Sequence, residues 1–212
     1  EREGIKSIDC LVLTHRHADH CGGLDVLRSR LRFNTVLAAK DTATQIGQAL
    51  DVVNLPAYVV QSIEDGWELR VRGRDPGMPD LQIRALWPSP LPLGAGPQSE
   101  NDRSVVLLVR YGHFQAMLSA DAGTIVDDEL LRRWDRTVVR SQVLKVGHHG
   151  SRHSTTDGLL AAVRPIASII QVGPNVFGHP SKEVVSRLLA HSSSVLRTDR
   201  HGAVTVKTDG KR

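Results

Sequence analysis

The sequence predicts a mixed α/β domain in which two sheets are sandwiched by helices, and three observations carry that expectation. Short apolar runs bounded by turn residues recur along the 212 residues, and stretches of helical periodicity separate many of them. The runs of the first half pair like hairpins, whereas those of the second half alternate with helices, an order that suits stacked layers. The length fits one sizeable domain, and 40% apolar residues is ordinary for a globular chain.

The first strand is expected at Cys10–Leu13, an unbroken apolar run, and a helix at Gly23–Arg32 follows the turn at Gly22 and Gly23. Further apolar runs predict strands at Thr35–Ala38, Ala57–Val60, Glu68–Val71 and Leu81–Trp87. Prolines and glycines make Pro88–Gln98 a long exposed loop within the domain. Strands at Ser104–Arg110 and Phe114–Ser119 form a hairpin across Tyr111 and Gly112. Beyond it, strands are expected at Gln142–Val146, Ser168–Gln171, Val195–Arg197 and Ala203–Lys207, with helices at Ala122–Trp134, Thr156–Val163 and Lys182–His191.

Composition narrows the function classes. No apolar run approaches the roughly 20 residues of a bilayer span, and Glu1, Arg2 and Glu3 do not read as a signal peptide, so the chain itself is expected to be soluble. The net charge is +4; the clusters Arg28, Arg30, Arg32 and Arg132, Arg133, Arg136 suit phosphates or simply a solvated helix face. Cys10 and Cys21 lack the spacing of a disulfide framework or a structural zinc site and are expected to be packed thiols.

The strongest chemical signal is Thr14-His15-Arg16-His17-Ala18-Asp19-His20-Cys21-Gly22-Gly23, between a strand and a helix. Three imidazoles and a carboxylate within six residues are the donor set of zinc, manganese or iron, and a loop leaving a strand can turn them towards one point. Asp121, after the strand ending at Ser119, is a candidate to bridge two cations or, more simply, to cap the next helix. In Leu144-Lys145-Val146-Gly147-His148-His149-Gly150-Ser151, His148 is the favoured metal ligand because it lies nearest the strand end, with His149 in reserve. Ser151 and the Gly150 backbone suit a phosphate oxygen or a turn cap. His179, in the loop before the helix that Ser181 caps, is a candidate to donate a proton to a leaving oxygen or to hydrogen-bond the substrate.

The first string resembles the HxHxDH signature of the metallo-β-lactamase superfamily. The resemblance implies a four-layer αββα sandwich, with His15 and His17 on one metal, Asp19 and His20 on a second, and Asp121 bridging them. The order of that string, Asn101-Asp102-x-Ser104, LKVGHHGS, GHPS and Arg197-Thr198-Asp199 resembles, over nearly the whole chain, the C-terminal domain of the competence family ComEC. That family places a further pair of strands before the point where this chain begins, so the N-terminal strands are expected to be missing and residues 1–212 to be the C-terminal part of a longer membrane protein.

The resemblance further implies a metal-dependent nuclease that degrades the non-imported strand during DNA uptake. It would use one or two zinc or manganese ions and no small-molecule cofactor, on the outer side of the inner membrane and beside the channel domain of the same polypeptide. Asp19, Asp121 and His179 are the implied catalytic residues; His149, Ser151 and Asn101 are candidates for the substrate. Two features depart from the pattern. Ala120 stands where the family has glycine before the bridging Asp, and only His113 lies where a third histidine of the first metal is expected, with the neutral Asn101 nearby. The rival readings are a free-standing hydrolase of a small ester, lactone or phosphodiester, and a degenerate domain that binds DNA or supports the channel without catalysis.

Overall fold

The chain opens with three parallel strands whose burial grows towards their C-terminal ends. The computed structural model describes residues 5–40, 42–43, 60–89, 99–192 and 194–211. Strands β1 (Ser7–Leu13), β2 (Arg32–Ala39) and β3 (Val60–Ile63) pair in parallel in that order. Helices α1 (Ala18–Cys21) and α2 (Leu24–Arg30) connect β1 to β2. Parallel neighbours need such a crossover, so the hairpin pairing expected throughout the first half does not apply to these three strands.

Hairpin pairing begins later. Strands β4 (Glu68–Val71), β5 (Leu81–Trp87), β6 (Val106–Tyr111) and β7 (Phe114–Leu118) run antiparallel, with Tyr111 opposite Phe114 across the Gly112 turn. Helices α3 (Thr124–Arg133) and α4 (Arg136–Val139) return the chain to β8 (Val143–Lys145), α5 (Asp157–Val163) to β9 (Ala167–Ile170), and α6 (Lys182–His191) to β10 (Ser194–Arg197). These strands add in parallel, giving a seven-stranded sheet in the order β10-β9-β8-β7-β6-β5-β4. A short helix α7 (Thr198–His201) follows.

Burial assigns the layers. Along β2, Val36 and Ala38 face Leu13 and Leu24 on the outer side, while Leu37 and Ala39 face Ile63, Ala85, Val105 and Leu107 between the sheets; this is the period-2 alternation of a strand. The far face of the larger sheet, with Leu86, Val106, Met117 and Leu144, packs on Val126 and Leu130 of α3, Leu159 and Leu160 of α5, and Val184 and Leu188 of α6. Helix, sheet, sheet, helix is the four-layer αββα order expected from the resemblance.

Four expectations need correction or restriction. Ala203–Lys207 forms no strand: its residues are largely exposed, and the segment leads to Gly210, whose carbonyl accepts the His113 N–H at 2.8 Å and so closes the β6–β7 turn. The strand placed at Ala57–Val60 is described only from Val60, and residues 90–98 of the expected loop lie outside the described residues. Two members of the second arginine cluster are paired within the fold: Arg132 and Arg133 both pair with Glu129, and Arg133 also pairs with Asp65 and lies over the Trp87 ring. Among the described residues no helix is long and apolar enough to cross a membrane.

Candidate metal centre

β7 and β8 run in parallel, so the loops that leave their C-terminal ends emerge on one edge of the larger sheet. β1 brings its loop there too, because the Thr14 carbonyl accepts the Val105 N–H at 2.9 Å just before β6. Three separate strings thereby meet.

The first loop arrives with its imidazoles oriented. Thr14 Oγ1 lies 3.2 Å from His15 Nδ1 and 3.4 Å from His20 Nδ1, leaving both Nε2 atoms towards the centre. His15 Nε2 is 3.1 Å from His17 Nδ1 and 3.8 Å from Asp121 Oδ2. His20 Nε2 is 3.3 Å from Asp121 Oδ1 and 3.6 Å from Asp19 Oδ2. Asp121 thus stands between the pair His15 and His17 and the pair Asp19 and His20.

The strand-end turn that carries Asp121 is unusual. Ala120 has φ of 46°, a left-handed conformation that favours glycine, and its carbonyl accepts both the Lys145 Nζ–H at 2.6 Å and the His148 N–H at 3.1 Å. The helix-cap alternative for Asp121 does not apply, since α3 begins at Thr124 with Gly123 at its N-cap. In the third loop His148, His149 and Gly150 follow one another at φ of 47°, 52° and 84°. That turn aims His149 inward: its Nδ1–H donates to the Gln171 carbonyl at 2.7 Å, and its Nε2 sits 3.2 Å from His20 Nε2, 3.3 Å from Asp19 Oδ2 and 3.5 Å from Asp121 Oδ2. Gly150 is required there, because a Cβ would stand 2.5 Å from Pro180 Cβ.

Asp19, His20, Asp121 and His149 therefore place one donor atom each within 4.8 Å of one another. His149, held in reserve by the sequence reading, stands in this cluster in place of the favoured His148. His148 turns instead to Asn101, whose Nδ2 is 3.2 Å from its Nε2, and to His179, with ring centroids 5.5 Å apart. Ser151 is buried, and its Oγ accepts the His153 N–H, the turn-cap alternative of the two roles expected for it. His113 lies on the β6–β7 turn, at the other end of these strands, and Cys21 points its thiol to the Arg16 carbonyl.

The donors are charged as a cation site requires. Burial first, and the neighbouring His20 second, lower the His15 pKa to about 4, so the ring is neutral and able to bind a metal at physiological pH. Burial alone would raise Asp121, but the His20 hydrogen bond and the charges of Lys145, His149 and His20 hold it below the usual carboxylate range. Lys145 Nζ is 3.8 Å from Asp121 Oδ1. Its role was missed in the sequence, where it read as part of a strand; a cation ending an apolar strand was the available signal. Among the described residues, the buried side-chain atoms Asn101 Oδ1, Ser119 Oγ and His179 Nδ1 make no hydrogen bond. Buried polar atoms are rarely left unpaired, and Asn101 and His179 lie beside the centre, against His148; a donor set of imidazoles and carboxylates fits a divalent cation.

The family described as Beta-lactamase superfamily domain matches residues 1–170. The chain belongs to the metallo-β-lactamase superfamily. Among solved superfamily-like structures, one of a candidate metal-dependent hydrolase from Parabacteroides distasonis aligns with a TM-score of 0.52 at 11% identity, covering 93% of this chain and 79% of that one, a likeness of fold. Curated relatives are ComE operon protein 3 of Bacillus subtilis, 29% identical over 95% of this chain, and Recombination protein 2 of Haemophilus influenzae, 30% identical over 97%. Competence protein ComA of Neisseria gonorrhoeae is 28% identical over 95%. These are the ComEC-family relatives to which the strings pointed, and the chain spans about a quarter of the length of each, 23% to 25%. Membership of the superfamily and the four-donor cluster support a metal-dependent hydrolase.

Proposed function

We propose that this chain is the metal-dependent phosphodiesterase domain of a longer DNA-uptake protein of the inner membrane, lying outside the cytoplasm and degrading the strand that is not imported. The observation that carries the reading is the meeting of two donor groups at buried Asp121, in a chain similar over 95% of its length to a protein named for competence.

His15, His17 and Asp121 would hold one ion, and Asp19, His20, Asp121 and His149 the other, zinc or manganese. A divalent cation there supplies Lewis acidity and makes water acidic enough to yield a nucleophile near neutral pH. The Asp121 carboxylate, kept ionised by its neighbours, joins the two groups, and Lys145 fixes the turn that presents it. Asp19 has its side chain 62% exposed and orients the attacking water from the open side. Burial lowers the His179 pKa, so its neutral ring serves the leaving oxygen as a hydrogen-bond donor at Nε2 more than as a strong acid. Asn101 and His148 form the adjoining wall.

The test is turnover by the full-length, metal-loaded protein on a labelled single strand, alongside simple esters and lactones. The expected result is strand cleavage that Asp121→Asn lowers by about a hundredfold or more, the scale of losing one preorganised charge at a reacting centre. Ester or lactone turnover without strand cleavage would favour a different hydrolase, and metal-loaded protein without any turnover would favour the degenerate domain.

A further inference from the structure

An exposed aromatic ring is costly to leave in water unless something covers it, and the loop before α6 exposes one beside the metal centre. Phe177 is 78% exposed and Val176, next to it, 95% exposed. The exposure is built in. Asn175 holds the loop from its middle: its Nδ2–H groups donate to the Gly173 and His179 carbonyls at 2.9 Å each, and its Oδ1 accepts the N–H groups of Phe177 at 3.1 Å and His179 at 3.0 Å.

The ring has one face already placed. Phe177 lies nearly parallel to His179, at 26° with centroids 5.8 Å apart; His179 meets His148 edge-on at 5.5 Å, and His148 is 6.5 Å from the His149 ring of the four-donor cluster. A line of rings thus runs from the cluster to the open face of Phe177. If a phosphodiester is held at the cluster, the strand that leaves it carries a nucleobase on every sugar, and a rigid aromatic ring along its path is the usual stacking partner of such a base.

We propose that Phe177, flanked by Val176, is a base-stacking platform that holds a nucleotide of the strand flanking the scissile phosphodiester. The proposal rests on the phosphodiesterase reading for its ligand and adds the subsite. Stacking on a π-face accepts every base, so this subsite favours unpaired strands without demanding a sequence, and a paired base, already stacked in a duplex, gains nothing from it.

The test is binding of a fluorescein-labelled oligodeoxythymidylate and of an abasic strand of equal length to the full-length, metal-loaded protein, read by anisotropy. Wild type binds the base-bearing strand more tightly. Phe177→Ala weakens that binding by roughly tenfold, the scale of one base stack, and leaves the abasic strand unchanged, while Phe177→Trp retains the preference. No preference in wild type, or an equal loss on both strands in Phe177→Ala, overturns the proposal. A base preference lost in Phe177→Ala by a protein that cleaves no DNA would keep the subsite and remove the nuclease reading, so the two fail separately.

Discussion

Ala120, His148 and His149 all adopt positive φ, and all lie in the two turns that carry Asp121 and the inward imidazole. Backbone strain of this kind persists where the surroundings over-determine it, and it clusters at functional sites. Ala120→Gly removes the Cβ that a left-handed turn disfavours, so it is expected to raise stability by about 0.5–1 kcal/mol, measured by urea unfolding, without loss of activity. The turn also explains why the choice between the paired histidines was not legible in the sequence. Adjacent residues in a strand-like loop point to opposite sides, but three successive positive φ values re-aim the pair, and only the Gln171 carbonyl then decides which ring is fixed inward. The ligand order of the first loop, by contrast, was legible, because all its donors lie in one short string after a strand. His148→Ala is expected to keep the metal content of the wild type while lowering strand cleavage, since this ring contacts Asn101 and His179; loss of metal in that variant would return His148 to the shell.

Elements were readable where local chemistry and packing agree. Lys182–His191 was placed residue for residue because Ser181 accepts the Val184 N–H as an N-cap and the apolar residues recur on one face. Ala203–Lys207 shows the converse: alternating small and apolar residues fit a strand, but pairing needs a neighbouring edge, and this segment is committed to the hairpin turn through Gly210. The parallel order of β1, β2 and β3 was also hidden, because apolar runs do not carry strand direction. Helix α3 makes a pH prediction of its own. Burial raises the Asp127 pKa to about 7 from 3.8, against the hydrogen bond it accepts from the Thr156 N–H at 2.7 Å. The folded state then binds a proton that the unfolded state has released, so the associated stability is complete below about pH 3.8 and is lost as pH rises through about 7. The thermal midpoint is expected to fall between those values, and Asp127→Asn, which keeps an acceptor for Thr156 but cannot ionise, to flatten that part of the profile. An unchanged profile in the variant would remove Asp127 as the cause.

At the scale of the molecule, the fold solves one problem: it brings to one edge donors that are far apart in the chain, with His20 and His149 separated by 129 residues yet 3.2 Å apart. The two-sheet core does this by stacking β1 against the sheet that contains β7 and β8, so that their loops meet. The sequence patterns carried the layer order and the strings, and the resemblance supplied their spatial grouping; the loops' final orientation came from backbone turns that periodicity cannot express. In the proposed arrangement the centre has two parts that share Asp121 and empty separately. The measurement that tests this most directly is the divalent-metal content of the full-length protein by elemental mass spectrometry, for wild type, His17→Ala and His149→Ala. Two ions per chain are expected in wild type and about one in each variant, with the remaining ion held by the other group. A wild type that binds no divalent metal, or variants that keep the full complement, would contradict it.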